Sequence, residues 1–193
     1  MDGVLCHYDF DQRLAKLADI TVLEAGEIDA AIFQSGFDDR ADRGHYTAEA
    51  YLREFGERLG VPVSRHDWVQ ARWQAMKPDH DMIALVRRVA QLVPVAMLTN
   101  NGALLQENLA AVFPEAAALF GDRAFFSSQF NSTKEEPDVF HAILKTLSGD
   151  PASTLFVDDS ETYIASAQTA GLCTHHFAGI AALTETLRSH NLY

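Results

Sequence analysis

Leu155-Phe156-Val157-Asp158-Asp159 is a short apolar run that stops on two adjacent carboxylates, and it decides how the rest of the chain is read. Thr154 to Val157 reads as a buried strand, and a helix follows from about Glu161 to Ala170 with Gly171 at its C-terminal stop. Two carboxylates at the end of a buried strand are costly unless a cation offsets them. Strand, acidic loop and helix in that order describe one unit of an α/β fold.

The same unit recurs on both sides. Upstream, Val93 to Leu98 is an apolar run followed by the turn-like Thr99-Asn100-Asn101-Gly102, and the helical stretch Leu104 to Phe113 then stops at Pro114. Ala124 to Ser127 is a short strand. Pro137 opens an amphipathic helix carrying Val139, Phe140, Ile143, Leu144 and Leu147, which ends near Gly149. Downstream, Cys173 to Phe177 is a strand and Ile180 to Ser189 the last helix. Repeated β-α units predict a parallel, doubly wound sheet with ligands at the carboxyl ends of its strands. Gln12 to Asp81 differs, with helical periodicity and almost no strand signal, so it reads as a helical insertion. Within it Thr47 precedes a helix that Gly60 ends, and Ser64 with Asp67 caps the next one.

Composition sets the limits. A chain of 193 residues, 48% hydrophobic and 22% charged, suits one α/β core with a modest insertion. The apolar run Leu92 to Leu98 is far shorter than the roughly 20 residues that span a bilayer, and no basic n-region opens the sequence, so a cytoplasmic protein without a membrane partner is expected. Cys6 and Cys173 form no metal or redox pattern and are expected in the core. The net charge of −12 opposes binding of a nucleic acid over most of the surface. A small phosphorylated ligand remains compatible, because local donors and a metal ion can hold one phosphate whatever the distant charge.

Asp2-Gly3-Val4-Leu5, Thr99 after a strand, Lys134 shortly before a helix and Asp158-Asp159 after another strand together resemble the four ordered motifs of the haloacid dehalogenase (HAD) superfamily. The resemblance implies a Rossmann-like parallel sheet formed by residues 1–11 and 82–193, with residues 12–81 as a small helical cap after the first motif. Asp2 matches the second aspartate of the family's Asp-x-Asp-Gly pattern, which protonates the leaving oxygen and then activates water. The first aspartate, the nucleophile, would fall one residue before Met1, together with the strand leading into it. A start assigned at an internal methionine is favoured over true loss, and the chain from Met1 is expected to show little activity alone.

The remaining motifs imply further roles. Thr99 and Asn100 would bind phosphoryl oxygens through the hydroxyl and adjacent backbone donors. Lys134, within Thr133-Lys134-Glu135-Glu136-Pro137-Asp138-Val139-Phe140, would offset the charge of nucleophile and phosphate, although Glu135 stands where the family has proline. Magnesium would be held directly by Asp159 and the Asp2 carbonyl, with Asp158 either acting through water or supporting the ligands from behind. Arg40, Arg43 and Lys77 are candidates to select a phosphorylated substrate, set against a reading as solvated charges. His175 and His176 lie in one strand and point to opposite faces, which opposes a joint metal site. Trp68 and Trp73 read as packing residues.

The expected function is magnesium-dependent hydrolysis of a small phosphate monoester through an aspartyl-phosphate. The surroundings of Phe37 to Gly44 resemble the branch that holds sugar-1-phosphate phosphatases and the phosphatase domain of soluble epoxide hydrolase. Alternatives are a 2-haloacid dehalogenase and a non-catalytic binding protein of the same fold. A departing halide needs neither proton nor metal, so Asp2 and the acidic pair favour phosphate.

Overall fold

A computed structural model describes residues 1–193. The chain opens with an Asp2-to-Leu5 turn into β1 (Cys6–Tyr8), and the Asp9 side chain then accepts from Gln12 N to start α1 (Phe10–Thr21). Next come α2 (Ala25–Ile28), a single wide turn over Asp29–Phe33, and α3 (Phe37–Asp42). Thr47 caps α4 (Ala48–Leu59) through Ala50 N, and Gly60 ends it in the left-handed conformation. Ser64 and Asp67 form a reciprocal capping box on α5 (Arg65–Ala75). These caps stand where the sequence put them. β2 (Met76–Pro78) then returns beside β1 as its antiparallel partner, with Cys6 opposite Pro78 and Tyr8 opposite Met76. This pairing at the base of the helices had no counterpart in the sequence reading.

The second half follows the β-α order. It runs through α6 (His80–Val89), β3 (Met97–Thr99), α7 (Ala103–Val112), α8 (Pro114–Phe120), β4 (Ala124–Phe126) and α9 (Pro137–Leu147). β5 (Leu155–Asp158), α10 (Glu161–Thr169), β6 (Cys173–His176) and α11 (Ile180–Ser189) complete it. β3 pairs in parallel with β4, and β5 in parallel with β6. The expected continuous sheet is therefore present as two separate parallel ladders, each a single strand pair.

Between the ladders lies an apolar cleft of about 920 Å³, lined by Met97 and Leu98 on one side and by Leu155, Phe156 and Val157 on the other. β3 and β5 each carry a partner on one edge only, which is why the predicted strand from Val93 shortens to one beginning at Met97. It also explains why Leu155, Phe156 and Val157 are half-buried rather than buried. The apolar interior divides accordingly. A larger cluster joins the helical segment to α6, α7 and α8, and a smaller one gathers Phe125, Phe140 and Leu144 under α9 and α10. Phe37, Phe55, Phe113 and Phe126 are fully buried, each stabilising the fold by about 1.5–3 kcal/mol. Cys6 is in the core, whereas Cys173 is exposed because β6 is an outer strand. No helix is long and apolar enough to cross a membrane.

Candidate active site

The carboxyl ends of β3 and β5 carry most of the polar residues that the sequence singled out. Thr99, the last residue of β3, is buried, and its Oγ1 accepts from Asn101 Nδ2 at 2.7 Å. Asn100 Oδ1 accepts from the Lys134 backbone N–H at 3.0 Å, which ties the two loops together. Lys134 Nζ donates to Asp158 Oδ2 at 2.7 Å, with both side chains buried, and lies 4.3 Å from the Tyr163 ring centroid. The other Asp158 oxygen accepts from Ser160 N at 3.0 Å. Asp158 is thus held by a cation on one side and a helix-entry amide on the other.

Asp2 belongs to the same cluster. Its carboxylate accepts from Arg72 Nη2 at 3.0 Å, and the same nitrogen donates to Asn101 Oδ1 at 3.2 Å. The exposed Asp159 carboxylate rests against Gly3, so a side chain at position 3 would collide with it. Gly3 also has φ +78°, a conformation in which glycine carries no penalty. In the Asp2 turn, Val4 and Leu5 donate to the Met1 carbonyl and Gly3 to the Cys6 carbonyl, so the Asp2 carbonyl is not consumed by the turn. The Met1 nitrogen is buried, and burial together with the nearby Lys134 charge lowers its pKa.

Magnesium needs only one or two carboxylates when waters and a phosphate complete its shell. Asp159, whose carboxylate rests against Gly3, the residue after Asp2, supplies a carboxylate of that kind, and Asp158, held by Lys134, fits a role through water. No set of three or more His, Cys, Asp or Glu side chains converges. His175 Nδ1 meets Thr186 Oγ1 at 2.9 Å while His176 Nε2 meets the Asp159 carbonyl at 3.0 Å, so the two rings have separate partners.

Arg40, Arg43 and Lys77 each have other partners. Arg43 forms ion pairs with Glu135 and Glu136, Lys77 pairs with Asp9 at 2.8 Å in an exposed position, and Arg40 donates to the Tyr46 hydroxyl at 3.4 Å. The sequence reading missed Arg72, which reaches the cluster through Asp2 and Asn101, and Arg13, which is buried near it. Arg72 is buried on α5 and stacks 4.3 Å from the Tyr8 ring centroid, while Arg13 is buried on α1 and donates to the Tyr8 hydroxyl at 3.1 Å. A signal existed, because Arg72 stands four residues after the buried Trp68 and Arg13 four before the buried Leu17. A charge on an apolar helical stripe is the mark to look for. Ser127 was also missed; it is fully buried, accepts from Asn101 N at 3.1 Å and donates to the Asp42 carbonyl at 2.7 Å.

Comparison with known proteins adds the following. The family model described as haloacid dehalogenase-like hydrolase matches residues 1–171. D-ribitol-5-phosphate phosphatase of Bacteroides thetaiotaomicron is 22% identical over 170 residues, covering 84% of this chain and 81% of that protein. Sesquiterpene phosphatase astK of Aspergillus oryzae is 27% identical over 155 residues, covering 78% and 76%. Among solved structures, a HAD family enzyme from Bacteroides thetaiotaomicron in complex with magnesium and inorganic phosphate superposes with a TM-score of 0.73 at 21% identity, covering 93% of this chain and 92% of that one. At that identity the likeness shows a shared fold.

Proposed function

The chain belongs to the haloacid dehalogenase-like hydrolases, and on that premise we propose that it hydrolyses a small phosphate monoester with magnesium, through an aspartyl-phosphate. The observation that carries this reading is the hydrogen-bonded run from Thr99 through Asn101 and Arg72 to Asp2, set beside the buried Lys134–Asp158 pair. It groups phosphate donors, a proton-transfer carboxylate and a fixed cation at one end of two strands. The solved relative that holds magnesium and inorganic phosphate supports the choice of ligand.

In the proposed division, residues 1–11 and 82–193 form the core and residues 12–81 the cap. The nucleophilic carboxylate belongs to the residue preceding Met1. The Met1 nitrogen is buried near Lys134, Asp2 and Asp158, which supports a nucleophile at the preceding position. The strand leading into it would lie in the cleft beside β3 and β5, whose apolar walls suit such a strand.

The carboxylate attacks phosphorus, the ester P–O bond breaks, and Asp2 delivers its proton to the departing oxygen. Water then attacks the phosphoryl group while Asp2 takes a proton from it, releasing phosphate and regenerating the carboxylate. Arg72 orients Asp2 throughout. The Thr99 hydroxyl and the Asn100 amide hold phosphoryl oxygens, and Lys134 offsets the approach of two anions. Asp159 and the Asp2 carbonyl, with Asp158 through water, would hold magnesium, which would supply further neutralisation of the phosphoryl charge.

The test is release of inorganic phosphate from sugar phosphates and a chromogenic ester by the protein carrying the residues encoded upstream of Met1, with and without a chelator. Turnover that the chelator abolishes is expected. An inactive extended protein would overturn the reading in favour of a binding protein.

A further inference from the structure

Beside Asp2 and Asn101, a cavity of about 20 Å³ opens among Arg13, Asp38, Asp42, Tyr51, Trp68 and Arg72. That volume holds one oxygen-sized group, since a single water needs about 10–15 Å³ on this measure. Its walls are unusually polar for a buried place, and several of their donors lack acceptors. Trp68 Nε1 and Arg72 Nε are buried without a hydrogen-bond partner. The nearby Tyr51 hydroxyl donates to Asp38 at 2.5 Å. Arg13 makes one hydrogen bond, to Tyr8, and otherwise lies over the Phe33 and Trp68 rings at 4.7 and 5.5 Å.

We propose that this cavity receives a hydroxyl group of the substrate's leaving portion, which makes the substrate a polyol or sugar phosphate rather than a prenyl phosphate. The inference rests on the phosphatase reading and narrows it. A hydroxyl oxygen accepts twice and donates once, which answers two orphan donors and the Asp38 carboxylate together. An alkyl group would leave both donors unpaired, a loss that polar sites use to reject deoxygenated analogues. A carboxylate or a second phosphate is too large, and its charge is not called for. Arg13 and Arg72 are matched by Asp38 and Asp2, and burial, with the Asp38 charge adding to it, pushes the Asp42 carboxyl up to about 8, where it is neutral at pH 7. The cavity adjoins the phosphate cluster because Arg72 borders both. Of the two phosphatases similar to this chain, the polyol-phosphate enzyme has the substrate chemistry that fits.

Calorimetry of the full chain with magnesium would compare inorganic phosphate, a pentitol phosphate and n-pentyl phosphate. The pentitol ester is expected to bind about tenfold more tightly than the pentyl ester, the scale of a hydrogen bond to a buried donor. Trp68→Phe, which keeps a ring and removes the N–H, should reduce that ratio to a few-fold or less, with the unfolding midpoint as the check on folding. The wild-type ratio decides the matter even if the variant is unstable. Equal affinity for the two esters alongside bound phosphate would overturn the hydroxyl pocket and leave the phosphatase reading intact. Failure of all three ligands to bind would overturn both.

Discussion

The Lys134 ammonium and the Asp158 carboxylate, 24 positions apart in sequence, meet at 2.7 Å with both side chains buried. Each removes the cost of burying the other, so losing one partner leaves an uncompensated charge. Lys134→Met should therefore destabilise the fold by about 3–5 kcal/mol. The double variant Lys134→Met/Asp158→Asn should recover most of that loss. Urea unfolding measures both, and a double variant no more stable than the single one would refute charge compensation.

Asp159 is exposed and rests against Gly3, where a cation could join it to the Asp2 carbonyl. Asp159→Asn is expected to weaken magnesium binding at least tenfold, whereas Asp138→Asn on α9 leaves it unchanged. Calorimetric titration with magnesium compares them, and equal effects would remove Asp159 from the metal site.

Gly3 and Gly60 both have positive φ, at +78° and +69°, but only Gly3 has a carboxylate against it. Alanine at either position carries left-handed strain of about 1–2 kcal/mol. Gly3→Ala should in addition displace Asp159 and abolish measurable magnesium binding, while Gly60→Ala only lowers the unfolding midpoint. A Gly3→Ala protein that binds magnesium normally would show that the close approach has no role in holding the metal.

Asp42 gives the fold a pH dependence of definite sign. Its carboxyl, raised to about 8 by burial, with Asp38 and Asp39 adding to the rise and Arg72 and Arg13 opposing it, binds its proton more tightly folded than unfolded. The native state then holds the extra proton between about pH 4 and 8, so stability falls as pH rises through that window. Asp42→Asn should flatten the slope. Between pH 6 and 8.5 the wild-type midpoint should fall at least about 3 °C further than that of the variant, which corresponds to about 1 kcal/mol. Parallel curves in a thermal melt series would show that Asp42 does not carry the effect.

Local signals announced the local structure. Thr47, Gly60, Ser64 and Gly171 are terminators whose side chains or backbone freedom act within one turn, and the helices they bound begin or end beside them. Thr99 and Asp158 were legible because an apolar run ending on polar residues marks a strand's carboxyl end. What the sequence hid was set by distant partners. Lys77 and Arg43 look like free cap cations until Asp9 and the Glu135-Glu136 pair come round to meet them. Arg13 and Arg72 are buried only because Tyr8, Phe33 and Asp2 arrive from other segments. Division of the sheet into two ladders was equally invisible, since strand pairing is decided between residues far apart in the chain.

The β1–β2 pairing has a consequence for how such a protein can change over time. Cys6 and Pro78 stand opposite each other on adjacent strands, a separation of about 5 Å, although 71 residues lie between them. The helices from α1 to α5 therefore leave and re-enter through one doorway no wider than a strand spacing. A block attached that way can be exchanged for another of different length or shape without rerouting the chain beneath it. Arg13, Trp68 and Arg72 travel with the block while Thr99, Lys134 and Asp158 stay behind, so a recombination event at this doorway would exchange the cavity and would also have to bring a new partner for Asp2.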